Sequence, residues 1–338
     1  MTDVTKRVDA FLAEYGMDPA RVDLDQCARA FQADMERGLR GDPEARMPML
    51  PAYLAPEGDI PQDQPAIVID AGGTNFRIGL VSLGARGPEI QDLRVFPMPG
   101  SQGPITWEEF VDQVSEAVLP LTGRSRRVGL CFSYAAEILP NGDGRVLRFS
   151  KQVQVEGSEG KELGRDLSAA LAEKGAPGVT FSVLNDTVAA LLGGVAALRD
   201  EVFDGFIGLI YGTGVNTCYA ERREKLSRVT TPWEKGSMLI NMESARFDGA
   251  PLSEFDRRLD ARSVDPGLCL YEKMVSGRYQ GEVIYHALRQ GAEDGLFSPE
   301  LAAFLRGLED LTSVQADAFS ARPYGDGLLA AACRTEAD

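Results

Sequence analysis

Two short glycine turns and a set of separated carboxylates are the residues of this chain whose types and spacing point to chemistry. In AGGTN, Gly72 and Gly73 let the backbone approach a ligand closely and expose N–H groups to phosphate oxygens, while Thr74 and Asn75 add side-chain donors. GTGVN, from Gly212 through Thr213 and Gly214 to Asn216, is a second turn of the same kind. Each also reads as an ordinary tight hairpin turn. AGGTN is not a P-loop, because it lacks Gly-Lys-Ser/Thr and is followed by a strand pattern. Asp70, closing the apolar run AIVID, favours the phosphate reading: a carboxylate there needs a reason, and Mg²⁺ bridging phosphates through water is one. NDT, Asn185 to Thr187, stands where an apolar strand pattern becomes a helix. Asn and Asp are preferred helix caps there; alternatively Asp186 is a base for a sugar hydroxyl, kept ionised by the helix dipole. A weak base suffices, since the loose transition state of phosphoryl transfer requires little early deprotonation. NME and YEK set Glu243 and Glu272 beside apolar residues, where carboxylates can hold neighbouring sugar hydroxyls. Taken alone, Glu272 would be a solvated helix residue, and Lys151 is either a donor to a sugar hydroxyl or a surface charge.

Composition bounds these readings. The single histidine, His286, lies in a helical pattern and reads as structural, so acid–base work falls to carboxylates, lysine or tyrosine. A formal charge of -16 repels nucleic acid and anionic membranes, yet a few local donors can still hold a phosphate. Five scattered cysteines without a Cys-x-x-Cys pair read as reduced thiols in a cytoplasmic protein; Cys131 and Cys218 read as small buried hydrophobes. No apolar stretch reaches membrane-spanning length.

The elements that must position these residues form an α/β pattern. Helices are expected over residues 1–41, then a Pro-rich connector from Pro43 to Pro65. AIVID and FRIGLVSL read as strands flanking AGGTN; WEEFVDQVSEAVLPL reads as a helix and RVGLCFSYAAEIL as a strand running into a loop. GKELGRDLSAALAEKG is helical, VTFSVL a strand, and DTVAALLGGVAAL a helix launched from it. FIGLIYGTGVNTCYAE repeats the opening strand–turn–strand device, which suggests a duplicated architecture. SMLINMES reads as a strand, followed by helices over residues 251–315 and a Pro/Gly/Ala-rich tail.

In this order the segments resemble the hexokinase family. IDAGGTNFR resembles its first phosphate motif, VLNDTVAALLGG its catalytic segment, and GLIYGTGVNTCYAE its second phosphate motif. INMES and the stretch EFDRRLDARSVDPGLCLYEKMVSGRYQGEVI resemble its sugar-binding and helical region. The resemblance implies a duplicated actin-like ATPase core (ribonuclease H-like), with small and large domains closing around a sugar cleft. On that basis residues 1–62 would be helices and a connector packing with the large domain, 63–186 the small domain, and 187–338 the large one. It implies ATP and Mg²⁺ as cofactors and a hexose as substrate. Asp186 would be the catalytic base, assisted by Lys151. Ser133, Ser150, Lys151, Asn185, Asn216, Glu243 and Glu272 would contact the sugar. Asp70, Gly72, Gly73, Thr74, Asn75 and Arg77 would form the first phosphate site, and Gly212, Thr213 and Gly214 the second. SYAAE, at Ser133 to Glu137, departs from the family's Ser-Phe-Pro, and NMESARF lacks its Trp-Gly. The family's last two strands, with a Gly-rich segment near the adenosine, have no counterpart, so a C-terminally incomplete large domain with an open sheet edge is expected. A non-catalytic sugar sensor with a degenerate nucleotide site is the alternative. A chaperone-like or filament ATPase would have no use for NDT, NME and YEK together.

Overall fold

The structure is a computed structural model that describes residues 3–57, 61–62, 64–73, 75–84, 87–149, 153–198, 201, 203–335 and 338. The strands are β1 (Leu50–Pro51), β2 (Ala66–Gly72), β3 (Asn75–Gly84), β4 (Gly87–Pro97), β5 (Ile105–Thr106), β6 (Arg127–Phe132), β7 (Ala135–Ile138), β8 (Gly144–Arg148), β9 (Val155–Glu156), β10 (Thr180–Leu184), β11 (Ile207–Tyr211), β12 (Val215–Arg222) and β13 (Ser237–Asn241). The helices are α1 (Asp3–Glu14), α2 (Leu24–Arg40), α3 (Trp107–Val118), α4 (Leu163–Glu173), α5 (Asp186–Ala197), α6 (Glu254–Arg262), α7 (Leu270–Val275), α8 (Gln280–Glu293), α9 (Pro299–Gly307), α10 (Ser313–Ala321) and α11 (Leu328–Ala332). They fall into two compact units, a sheet unit of residues 49–210 and 217–242 and a helical unit of residues 1–48, 211–216 and 243–338.

In the sheet unit a five-stranded sheet has the order β10-β6-β2-β3-β4. β10, β6 and β2 run parallel, and β3 and β4 add antiparallel. The expected hairpin around AGGTN is therefore present, with Gly72 paired to Asn75. α3 and α4 cover this sheet because their apolar residues recur at helical spacing: Phe110, Val114 and Val118 on one, Leu163, Leu167 and Leu171 on the other, all buried. A capping box between Thr106 and Glu109 starts α3. Glu162, the residue before α4, supplies no side-chain cap. The buried Asp143 does so instead, accepting from the N–H groups of Gly144, Gly164 and Arg165 at 2.6, 2.5 and 2.9 Å.

A second sheet has the order β1-β13-β12-β11, and α5 packs on it through Val188 and Leu191 against Cys218, Leu239 and Ala52. Gly208 of β11 permits that packing, since a Cβ there would lie 2.8 Å from Leu191 Cβ and 2.9 Å from the Thr187 carbonyl oxygen. β1 lies inside the expected Pro-rich connector and pairs with β13. β4 and the β7–β8 hairpin were not expected from the sequence; past Gly87 every residue of β4 is exposed, so no hydrophobic alternation marks it.

The helical unit has its own cores. Phe11 of α1 and Tyr15 just after it stack on Phe255 of α6, with ring centroids 5.9 and 5.1 Å away. α8, α9 and α11 enclose Tyr285, Leu301, Leu305 and Leu329. The stretch read as an irregular tail thus carries the rest of α10 and all of α11; its leucines and alanines are packing residues. His286, on α8, is buried, and burial together with Arg262, Arg258 and Arg289 holds its pKa below the usual imidazole value. No described helix is long and apolar enough to cross a membrane.

Candidate active site

The three parallel strands of the sheet unit end level with one another. Asp70 on β2 and Leu184 on β10 are both in register with Cys131 on β6. Carboxyl ends of parallel strands are where open α/β sheets bind ligands, and the candidate residues continue directly from them. Asn185 caps α5, its side-chain oxygen accepting from the Thr187 N–H at 2.9 Å. Asp186 is the first residue of α5 and is partly buried. Its Oδ1 accepts from the Thr187 N–H at 2.8 Å and from the Thr187 hydroxyl at 3.3 Å, while Oδ2 takes no part in these bonds.

Cys131 is half-buried, not enclosed in the core as its apolar surroundings suggested, because it sits where β6 emerges from the sheet. Its thiol is pushed up to about 12, first by burial and then by the charges of Asp70 and Asp186. Asp70 is the register partner of Cys131 on β2. Cys218, read in the same way, is fully buried.

Around this point lie the residues of the first turn. Asp70 Oδ2 accepts from Arg77 Nη1 at 2.7 Å across the β2–β3 pair, with both side chains nearly half exposed. Gly72 leaves room for Ser133, whose Oγ would be 2.8 Å from a Cβ added there. The Ser133 N–H donates to the Ala71 carbonyl at 3.0 Å. Gly73 has φ 57°, in the left-handed region that glycine adopts without strain, and its carbonyl accepts from the Tyr134 hydroxyl at 2.7 Å. Burial, then the charge of Asp70, pushes Tyr134 up to about 12. Thr74, Ser150 and Lys151 lie outside the described residues.

Among the described residues no three His, Cys, Asp or Glu side chains cluster as a metal cage. A Mg²⁺ carried by phosphates asks less of the protein, commonly one or two carboxylates with water completing the octahedron. Asp70, with one oxygen on Arg77 and the other outside that ion pair, fits such an outer position.

The helical unit builds the second set. The GTG turn is closed by the Gly212 N–H donating to the Gly214 carbonyl at 2.9 Å. It is buttressed by the Gly277 N–H on the Gly212 carbonyl at 2.7 Å and by the Arg278 N–H on the Thr213 carbonyl at 3.4 Å. Glu272 of α7 accepts from the Val215 N–H at 2.9 Å, and a Cβ on Gly214 would lie only 2.6 Å from the same Oε2. Burial raises the Glu272 pKa; the Val215 N–H opposes this, and the charge of Glu243 adds to it. Glu243 has φ 57°, and the next N–H, of Ser244, donates to Asn216 Oδ1 at 3.3 Å. Asn216, Glu243 and Glu272 are thus brought together, in the helical unit, while Ser133, Asn185 and Asp186 belong to the sheet unit.

Sequence reading missed a cavity of about 460 Å³ in the helical unit, lined by Gly277, Arg278, Tyr285, Thr312 and Ser313 among others. Its signals were the basic residue in SGRY and the paired hydroxyls in LTS, but Thr312 also serves as the cap of α10, and capping alone accounts for its type.

Two family models described as hexokinase match residues 7–195 and 206–321. Hexokinase-1 of Nicotiana tabacum is 30% identical over 330 residues, covering 90% of this chain and 65% of that protein. Hexokinase-2 of Solanum tuberosum is 31% identical over 321 residues, covering 89% and 64%. Hexokinase-1 of Spinacia oleracea is 30% identical over 302 residues, covering 84% and 59%. The chain therefore spans about three fifths of the length of these relatives. Among solved structures, the hexokinase from Schistosoma mansoni complexed with glucose is 25% identical with a TM-score of 0.66, covering 89% of this chain and 70% of that one. A second hexokinase crystal structure is 22% identical with a TM-score of 0.72, covering 94% and 72%. The fold is that of these hexokinases, a mixed α/β actin-like ATPase fold. By motif order, family match and fold, this chain belongs to the hexokinase family.

Proposed function

We propose that the chain transfers the γ-phosphoryl group of ATP to the 6-hydroxyl of a hexose, glucose by default, with Asp186 as the base. One observation carries the reading: Asp70 on β2 and Leu184 on β10 are the two register partners of Cys131, and Asp186 begins α5 two residues beyond Leu184, while AGGTN follows directly from Asp70. A carboxylate suited to a sugar hydroxyl and a turn suited to phosphates are then neighbours in one unit.

The sugar is held by Ser133, Asn185, Asn216, Glu243 and Glu272, with Ser150 and Lys151 as further contacts and Lys151 assisting catalysis. Vicinal hydroxyls donate to the two glutamates, and the raised pKa of Glu272 makes a donor hydroxyl there worth more than in water. Gly72, Gly73, Thr74, Asn75 and Arg77 form the first phosphate site, and Gly212, Thr213 and Gly214 the second. The cavity of Arg278, Thr312 and Ser313 beside the GTG turn suits the nucleoside. When bound, Mg²⁺ neutralises charge on the phosphate oxygens, with Asp70 holding one of its waters. The 6-hydroxyl oxygen bonds to the γ-phosphorus as the bond to the β–γ bridging oxygen breaks, ADP leaves, and the hydroxyl proton passes to Asp186 Oδ2. Five free thiols support a reducing compartment such as the cytoplasm.

The test is a coupled assay of ATP consumption against a panel of glucose, mannose, fructose and glucosamine, with the product's phosphate position read by NMR. Mg²⁺-dependent formation of a hexose 6-phosphate is expected. ATP hydrolysis indifferent to every sugar, or sugar binding without nucleotide binding in calorimetry, would contradict the proposal.

A further inference from the structure

We infer that Tyr134 is a positioning residue for the first phosphate turn: its hydroxyl, donated to the Gly73 carbonyl at 2.7 Å, fixes the orientation of the Gly73 peptide for receiving phosphate. The inference rests on the kinase reading above and adds to it a residue outside the listed ligands of sugar and phosphate.

Gly72 is paired with Asn75 in the β2–β3 hairpin, so the restraint at issue is the one on Gly73. Gly72 and Gly73 are the residues with the most backbone freedom, and a Cβ at Gly73 would meet no atom within 4 Å. Toward β6 the described restraints are the Ser133 N–H on the Ala71 carbonyl at 3.0 Å and, two residues along the turn, the Tyr134 hydroxyl on Gly73. The donor is itself fixed. The Tyr134 ring is buried and lies 5.1 Å from Phe132 and 4.9 Å from Phe149, which in turn meets Phe110 at 5.4 Å. A phenol clamped in that aromatic cluster cannot swing away, so its hydroxyl defines one orientation of the peptide that carries the Gly73 carbonyl.

The same cluster gives the tether a second end. Phe149 immediately precedes Ser150 and Lys151 in the chain, so the ring that locks Tyr134 is covalently next to two proposed sugar contacts. Turn geometry, and with it nucleotide affinity, is the quantity the hydroxyl controls.

Tyr134→Phe removes one oxygen and leaves the ring packing, so the full chain should keep its melting temperature within a few degrees. Titration calorimetry with a Mg²⁺-bound, non-hydrolysable ATP analogue should find affinity lower by about three- to ten-fold, the worth of one neutral hydrogen bond. KM for ATP should rise by the same factor, while glucose affinity stays unchanged. Phe149→Leu, which loosens the ring without removing the hydroxyl, should weaken nucleotide binding in the same direction. Unchanged nucleotide affinity in Tyr134→Phe, or an equal loss for sugar and nucleotide, overturns the tether. A wild-type chain without nucleotide affinity instead removes the kinase reading, and this inference with it.

Discussion

At the scale of single residues, the site depends on carboxylates kept in environments of unequal polarity. Asp70 is tied to Arg77 near the surface, whereas Glu272 is partly buried and accepts from the Val215 N–H. Because burial raises its pKa, folded Glu272 binds its proton more tightly than the unfolded chain does. The protein therefore loses stability as pH rises from the ordinary glutamate value of 4.5 through the raised one, and Glu272 remains a burden above that window. Glu272→Gln should melt higher than wild type at pH 8 in the absence of sugar, and the difference should vanish below pH 4.5. A melting difference that does not change with pH would contradict this account of Glu272. Its role was only half legible in the sequence: YEK suggested a ligand or a solvated helix position, and only the contact with Val215 and Gly214 separates the two. Tyr134 and Cys131 were illegible for a similar reason, because the pairing of β6 with β2, not residue type, brings Cys131 beside Asp70 and the residues after β6 beside Gly73.

At the scale of elements, helices α4 and α5 of the sheet unit are set by buried polar and steric features. Asp143 caps α4 from outside the helix, and its removal leaves three N–H groups without their acceptor. Asp143→Ala should cost about 3 kcal/mol in denaturant unfolding. A loss under 0.5 kcal/mol would mean water replaces the carboxylate there without penalty. α5 is set by Gly208, where any side chain meets Leu191 and the Thr187 carbonyl. Strong amphipathic patterns such as those of α3 and α4 were legible because buried residues recur at helical spacing. β4 was not, since an exposed edge strand carries no such alternation, and α11 was hidden in a glycine- and proline-rich neighbourhood. Asp143 was missed because its helix partner begins twenty residues downstream.

At the scale of the molecule, motif order was the most legible property, because two glycine hairpins, NDT, NME and YEK each occupy a fixed place in one linear pattern. The compact units are less so: each is assembled from separated stretches, with residues 1–48 grouped with residues 243–338 by contacts such as Phe11 to Phe255 and Arg46 to Asp248. Asp186 belongs to one unit and Glu243 and Glu272 to the other, so the proposed reaction calls on the whole chain. Rapid-quench measurement of a single turnover, with enzyme in excess over ATP and glucose saturating, isolates the chemical step. Asp186→Ala should bind glucose and nucleotide within a few-fold of wild type yet form glucose 6-phosphate about 100- to 10,000-fold more slowly. A variant that transfers the phosphoryl group at the wild-type rate would show that the proton leaves by another route.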